Sequence, residues 1–509
     1  MKLPFLDNVI EQSTRRIVNF LGINYGNQTS EGEMSETLNL TTDNFPYISQ
    51  RKPRVKEKTY SNPTTLFSKA GLFVIDGTRV LLDDIQIGTV TEGKKQMASV
   101  GNIVVIFPDK KYYNTETQVF GDMEETYSQG GLVFGTDSEG LSTITTTGAD
   151  FSFFEGDAVT ISGCTEAPEN NVTAIIRGVN GKVLTFYANT FTNATETGAV
   201  TIKREVPDLE FICENNYRLW GCKGNTIYAS KYADPLNFQV FDGLSGDSYY
   251  IQVGSDGEFT GCIPFSSHIC FFKEDVLHKI YGSKPSNFQV VTANVFGVQA
   301  GCERSMRVIN ETLYYMGRNG VYAYTGGVPN DISSAFGTKR FSEACAETDG
   351  EKYYISMKSD DGWGLYSYDV KRNIWLREDD THVYDMANKD GNVYFISSDC
   401  GLYRMNADSG EAVEWSVTFC PFTETVNERK GYSKLGIRLE LGEDSYLTIE
   451  VSVDDGNWEK VYTTHNEKAK TVTVPIHPNR CDNFQVRLSG KGTCEVKSFV
   501  REFTIGSEV

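Results

Sequence analysis

A hairpin unit that recurs along the 509-residue chain constrains its fold more than any other feature. Its clearest copy is 218–241, RLWGCKGNTIYASKYADPLNFQVF. Tyr217, Leu219, Ile227 and Tyr228 supply the aliphatic, β-branched and aromatic side chains of two short strands. Gly224-Asn225 tolerates the positive φ of a tight turn, and Asp234-Pro235 stops further pairing. Apolar residues do not recur three and four apart, so the stretch does not read as a helix. Earlier copies occupy 66–83, where Asp76-Gly77 separates two apolar runs, and 102–119, which turns at Pro108-Asp109. Later ones follow at 268–290, 312–325, 352–376 and 392–405. Recurrence at about forty to fifty residues is the mark of a propeller, whose blades bury their faces only by stacking on neighbours. About seven such hairpins predict a propeller of six or seven blades.

Two stretches break the rhythm. Between 120 and 205 the text turns Thr- and Gly-rich, with the strand-like runs FFEGDAVTISGC, NNVTAIIRG, KVLTFYAN and AVTIKREV and an Asn180-Gly181 turn. The reading is an inserted small β-barrel; the alternative is a set of extended blade decorations. Beyond Trp415, period-two alternation in YSKLGIRLEL, YLTIEVSVDDGNWEKVYTT and DNFQVRLSG predicts a C-terminal β-sandwich, jelly-roll-like, turning at Asp455-Gly456 and Gly490-Lys491-Gly492. The expected division is thus an extended N-terminal arm over 1–60, a propeller over 61–119 and 206–412, a barrel over 120–205 and a sandwich over 413–509. Within the arm, 1–14 has the composition of a short helix, and the rest is turn-rich and extended. Arg51, Lys52 and Arg54, followed by Lys56 and Lys58, make a basic patch in an acidic protein. Two readings compete: a solvated loop, or an arm held straight by Pro46 and Pro53 that places Arg51, Lys52 and Arg54 at a subunit interface. On the second, replacing all three by Ser weakens assembly and leaves the monomer's thermal midpoint nearly unchanged.

Charge narrows the function. With 68 acidic against 48 basic residues, and a net charge of -20, the chain lacks the cationic surface that grips a nucleic-acid backbone. Eleven cysteines without a CxxC pair argue against zinc ribbons and predict reduced, buried thiols. The start carries no apolar secretion core, and no run approaches the ~20 residues of a membrane span, so a soluble chain without membrane insertion is expected. Sequons at Asn27, Asn39, Asn171, Asn193 and Asn310 matter only in a glycosylating pathway.

Catalytic motifs are missing: there is no phosphate loop, HExxH or nucleophile elbow. His268 and His278 flank one strand pair, but no Cys or acid is spaced to complete a metal site, and neither metal nor cofactor is expected. Propellers do host glycosidases that work through paired acids. Here the acids that stand out, Asp76, Asp360, Asp361, Asp390 and Asp399, fall where Asp serves turn geometry, so no catalytic residue is assigned. Trp458, after Asp454-Asp455-Gly456-Asn457, is either an exposed sugar-stacking ring or a hairpin residue returning to the core, with the core reading favoured.

The segment 19–54, NFLGINYGNQTSEGEMSETLNLTTDNFPYISQRKPR, resembles the entry segment of tailed-phage virion proteins, with its Gly-rich turn, aromatic-Pro and basic Pro-Arg end. Arg218-Leu219-Trp220-Gly221, Ile227-Tyr228-Ala229-Ser230, Asp234-Pro235-Leu236-Asn237-Phe238 and Asn319-Gly320-Val321-Tyr322 are similar to the propeller of the packaged-DNA stabilisation and tail-nozzle family. The resemblance covers most of 15–410. It implies a non-enzymatic structural protein of the virion tail, made in the host cytoplasm. Such a protein forms a homo-oligomeric ring, a hexamer, below the portal and adaptor, and retains and conducts double-stranded DNA until ejection. The rival is a baseplate or receptor-binding protein that recognises a cell-surface glycan through its sandwich; a propeller glycosidase stands third.

Overall fold

The computed structural model describes residues 11–468, 470–477 and 480–505. It is all-β, built from many small sheets, and the helices among the described residues are single 3-10 turns such as Pro168–Asn170 and Ser334–Phe336. The short helix expected over 1–14 is a strand where it is described, Glu11–Ile17, because its backbone pairs residue for residue with the strand Cys494–Ile505. Residues 1–10 of that expectation lie outside the described residues. The chain divides into two compact units, 61–303 and 1–60 with 304–509.

The first unit holds four four-stranded meanders, spanning 63–89, 96–122, 211–252 and 261–294. Their inner strands are buried on both faces: every residue of Leu72–Asp76 and of His268–Phe272 is buried. Continuous apolar runs of this kind are what the sequence displays as hairpins. Outer strands such as Ile85–Thr89 and Gln289–Asn294 carry no fully buried residue, which is why they do not stand out in the text. The turn chemistry is as expected. Gly77 at φ 62°, Gly181 at φ 54° and Gly224 at φ 55° occupy the left-handed region that a two-residue hairpin demands.

Residues 125–204 interrupt this unit with a four-stranded and a five-stranded sheet around a core of their own, including Phe134, Ile144, Val159, Leu184 and Ile202. The insert's first and last strands, Glu125–Gly130 and Ala199–Arg204, pair along their length, so its ends meet. It is tied down by charge. Arg204 and Asp157, each 2% exposed at the side chain, make an ion pair of 2.5 Å, Arg204 Nε donates to the Met123 carbonyl at 2.9 Å, and Asn237 Nδ2 donates to Asp157 Oδ1 at 3.1 Å. Deleting 128–203 with a short linker therefore removes Asp157 and strands a buried guanidinium. The deletion is expected to keep a cooperative β transition in urea but to lose about 3–5 kcal/mol, of which Arg204→Met recovers a part. Loss of cooperativity in both proteins would make the insert integral to the unit.

The second unit contains three more four-stranded sheets, at 307–331, 344–379 and 383–404, and the last of these takes its fourth strand, Val55–Thr59, from the N-terminal region. Beyond them lies a pair of six-stranded sheets. The arm is not free-standing. Glu11–Ile17, Leu40–Thr41 and Ile48–Gln50 join one sheet with Cys494–Ile505, while Gly22–Ile23 and Glu33–Leu38 join the other with Glu414–Phe419. Ile17, Phe20, Met34, Leu40 and Ile48 enter the same core as Val417, Leu435 and Phe499, and Ile374 and Leu376 of the 344–379 sheet belong to it too. The C-terminal sandwich is thus completed by N-terminal strands, because pairing there buries apolar side chains that an extended arm would leave in water. One buried ion pair lies on its central strand: Arg501 Nε meets Glu424 Oε1 at 2.5 Å, and Tyr432 Oη donates to the same oxygen at 3.1 Å.

Candidate functional site

The acids singled out in the sequence are occupied by structure. Asp76 Oδ1 accepts the backbone N–H groups of Ser61 at 3.0 Å and Asn62 at 2.6 Å, while Oδ2 takes Arg79. Asp399 accepts the Gly401 N–H at 3.0 Å, the Tyr403 hydroxyl at 2.7 Å and Lys56 Nζ at 2.9 Å. Its burial opposes ionisation, but those donors, Lys56 first, hold the carboxyl at about 2. Asp360 and Asp361 form the turn between Lys352–Ser359 and Gly362–Asp369, and Asp390, at φ 53°, turns the next hairpin. His268 and His278 do not come together. Their cross-strand partners, Tyr281 and Phe271, place them on opposite faces of the sheet. His278 bridges the Ser255 and Thr292 hydroxyls at 2.8 and 2.9 Å, and burial, with Lys273 nearby, pushes it down to about 4. Among the described residues no three His, Cys, Asp or Glu side chains are grouped to hold a metal, and no helix is long and apolar enough to cross a membrane. All eleven cysteines are free, and all but Cys400 are buried.

The two arginines of the basic patch are turned inward. Arg54 sends Nη2 to Glu378 and Nη1 to Asp379, both at 2.6 Å, with Thr381 Oγ1 at 3.1 Å from Nη1 and the Phe395 ring beneath its guanidinium. Arg51 lies beside it, donating through Nε to Asn39 Oδ1 at 2.9 Å, with Glu378 at 3.5 Å and Asp379 at 3.7 Å. Burial, and then the Arg54 charge, push Arg51 down to about 10. Lys52 points to solvent, bridged to the exposed Asp408 at 2.7 Å, and Lys56 and Lys58 are exposed too. The solvated-loop reading does not describe Arg51 and Arg54: two arginines and two acids close a cluster within one chain. The sequence shows only the run of positive charge, since its partners lie more than 300 residues away, at separations such as 324 and 325.

The same unit contains an open cleft of about 650 Å³. Its floor is the arm strand Glu33–Leu38, which is stitched to the 344–379 sheet: Thr37 Oγ1 donates to the Arg377 carbonyl at 3.0 Å and accepts the Arg377 N–H at 2.8 Å. The hairpin tip bearing Asp361 and Trp363 also lines the cleft, as does the rest of the same sandwich sheet, presenting Trp458, Gln485 and Arg487. Trp458 is half-buried and lies outside the sandwich core, so the favoured core reading of this residue is corrected. Positive φ at Asp454 and Asp455 turns the chain before the tryptophan, and the Arg487 guanidinium packs over its ring at 4.0 Å from the centroid. Trp363 is half-buried as well, with the His382 imidazole stacked at 3.7 Å and 10°. Lys339 lies over the Tyr25 ring at 4.7 Å and pairs with Asp361 at 2.9 Å. Burial raises the Tyr25 phenol well above its ordinary value, so it stays a neutral hydroxyl. The cleft offers half-buried indoles beside fixed guanidinium, ammonium and amide groups.

No family model matches the chain, and no curated protein matches it. Solved structures that align with it include an exo-β-1,3-galactanase from Phanerochaete chrysosporium with galactose, at 8% identity over 56% of this chain and 92% of that one, with a TM-score of 0.22. BamB from Moraxella catarrhalis aligns at 11% identity over 71% of this chain and 98% of that one, with a TM-score of 0.26. At these scores the likeness carries no argument about what this chain does, and the functional reading rests on its own residues.

Proposed function

We propose that the chain is a structural protein of a phage tail, of the nozzle kind, that assembles into a ring and conducts packaged DNA without gripping it. On this reading the seven four-stranded sheets are the blades of one propeller, the 125–204 insert is a small barrel, and the ring is a hexamer that meets the portal and adaptor. One observation carries it: the conspicuous carboxylates are spent on turns and ion pairs, as Asp76, Asp379 and Asp399 are, which is the economy of a scaffold and not of an acid-base site. The charge of -20 supports the conduit role, because fixed negative charge keeps a passing polyanion from adhering. The test is a titration of the full-length protein with duplex DNA across salt concentrations, together with mass photometry and electron microscopy of its assemblies. Weak or absent binding and a closed ring with an acidic lumen are expected. Tight binding that collapses with salt, or a basic lumen, overturns the reading. The cleft with Trp363 and Trp458 favours a second reading, a receptor-binding role on a glycan.

A further inference from the structure

We infer that the cleft between the Trp363 hairpin and the sandwich binds a short saccharide carrying a carboxylate, such as a sialylated or uronic-acid oligosaccharide. The inference does not rest on the tail reading. Its first support is shape. A cleft of about 650 Å³ is in the size range of small-molecule sites and holds two or three sugar rings, with too little continuous apolar wall for a lipid.

The second support is the kind of surface offered. A pyranose presents an apolar C–H face and a rim of hydroxyls, so it needs a flat aromatic wall with planar hydrogen-bonding groups at the edge. Trp363 and Trp458 supply the walls from two different elements, and each is already held by a neighbour, His382 or Arg487, so little side-chain freedom is lost on binding. The edge groups are held too. Gln485 Nε2 donates to the Phe419 carbonyl at 3.4 Å, which orients its amide oxygen, and Arg487 Nε donates to Thr418 Oγ1 at 3.2 Å.

The third support is charge. Lys339 and Arg377 have acidic partners within the chain, Asp361 and Asp380. Arg487 stands differently: its carboxylate neighbour, Glu450, is 4.0 Å away, beyond hydrogen-bond range, and Nε alone is committed to Thr418. A half-buried guanidinium stacked on an indole, with terminal N–H groups to spare, is suited to a bidentate pair with a ligand carboxylate. A ligand of high charge density, such as a polyphosphate, is disfavoured more than an isolated carboxylate, because Glu36 and Asp361 line the same cleft and Lys339 and Arg377 are already paired.

The experiment is tryptophan fluorescence and calorimetric titration of the full-length protein with 3′-sialyllactose and tri-galacturonic acid, with maltotriose and a short heparin fragment as comparators. Saturable binding of at least one of the two carboxylated sugars is expected. Trp363→Phe should leave binding within a few-fold, whereas Trp363→Ala and Trp458→Ala should each weaken it roughly tenfold or more. Arg487→Gln should abolish the preference for the carboxylated sugar over maltotriose while thermal midpoints stay near wild type. Absence of saturable binding to both carboxylated sugars overturns the inference, as does binding that survives both alanine substitutions or tighter binding of heparin that Arg487→Gln leaves intact. Failure of the DNA and ring tests would leave these outcomes unaffected.

Discussion

Removal of residues 1–50 is expected to prevent the 304–509 unit from folding. Ile17, Phe20, Met34, Leu40 and Ile48 are each only 2–4% exposed and share the sandwich core. At about 1.5–3 kcal/mol for each buried side chain, their loss removes roughly 8–15 kcal/mol, as much as the whole net stability of an ordinary domain. The truncation also strips Glu11–Ile17 from the long strand Cys494–Ile505, leaving an open edge that invites aggregation. The truncated protein should be insoluble or should lack a cooperative transition in near-ultraviolet circular dichroism, and co-expression of 1–60 as a separate chain should restore soluble complex. A truncated protein that melts cooperatively within a few degrees of the intact one would show that the arm is dispensable.

How far the fold was legible depends on the range over which each signal acts. Gly77, Gly181 and Gly224 are local instructions, and each turns its hairpin with a positive φ, because that conformation is decided within the hairpin. The insert was legible for the same reason: its text breaks the rhythm, and its strands find a core within their own eighty-odd residues. The arm was not. Its alternation is too short and polar to announce a sheet, and what decides its fate is a set of contacts such as Thr37 with Arg377, 340 residues apart. Trp458 misled for a related reason. A tryptophan after a hairpin turn usually returns to the core, but here Arg487, from a different strand, covers its ring and holds it at the margin.

Replacing Arg54 by Ser is expected to destabilise the isolated protein by about 3–5 kcal/mol, because it leaves Glu378 and Asp379 buried without their main countercharge. Lys52→Ser should change stability by no more than about 0.5 kcal/mol, since both partners of its bridge are in water. The triple Ser variant must therefore melt well below wild type, whatever it does to assembly, and an assembly defect in it cannot be assigned to an interface. Lys52→Ser alone tests the interface. The cluster also sets a direction for pH. Burial works against the charge on Asp379, but Arg54 and the Thr381 donors outweigh it and hold the carboxyl below the ordinary aspartate value. A group depressed on folding contributes its full stabilisation above the unfolded-state pKa of about 4 and loses it as the pH falls toward the folded value. Wild type should accordingly lose stability through that acid window, and Arg54→Ser should lose less, because its Asp379 is no longer held down. Equal acid slopes for the two proteins in urea titrations, or an unchanged midpoint for Arg54→Ser, would show that the four charges are solvated and that the arm is held to the sheet by the Thr37 hydroxyl and the Asn39 N–H.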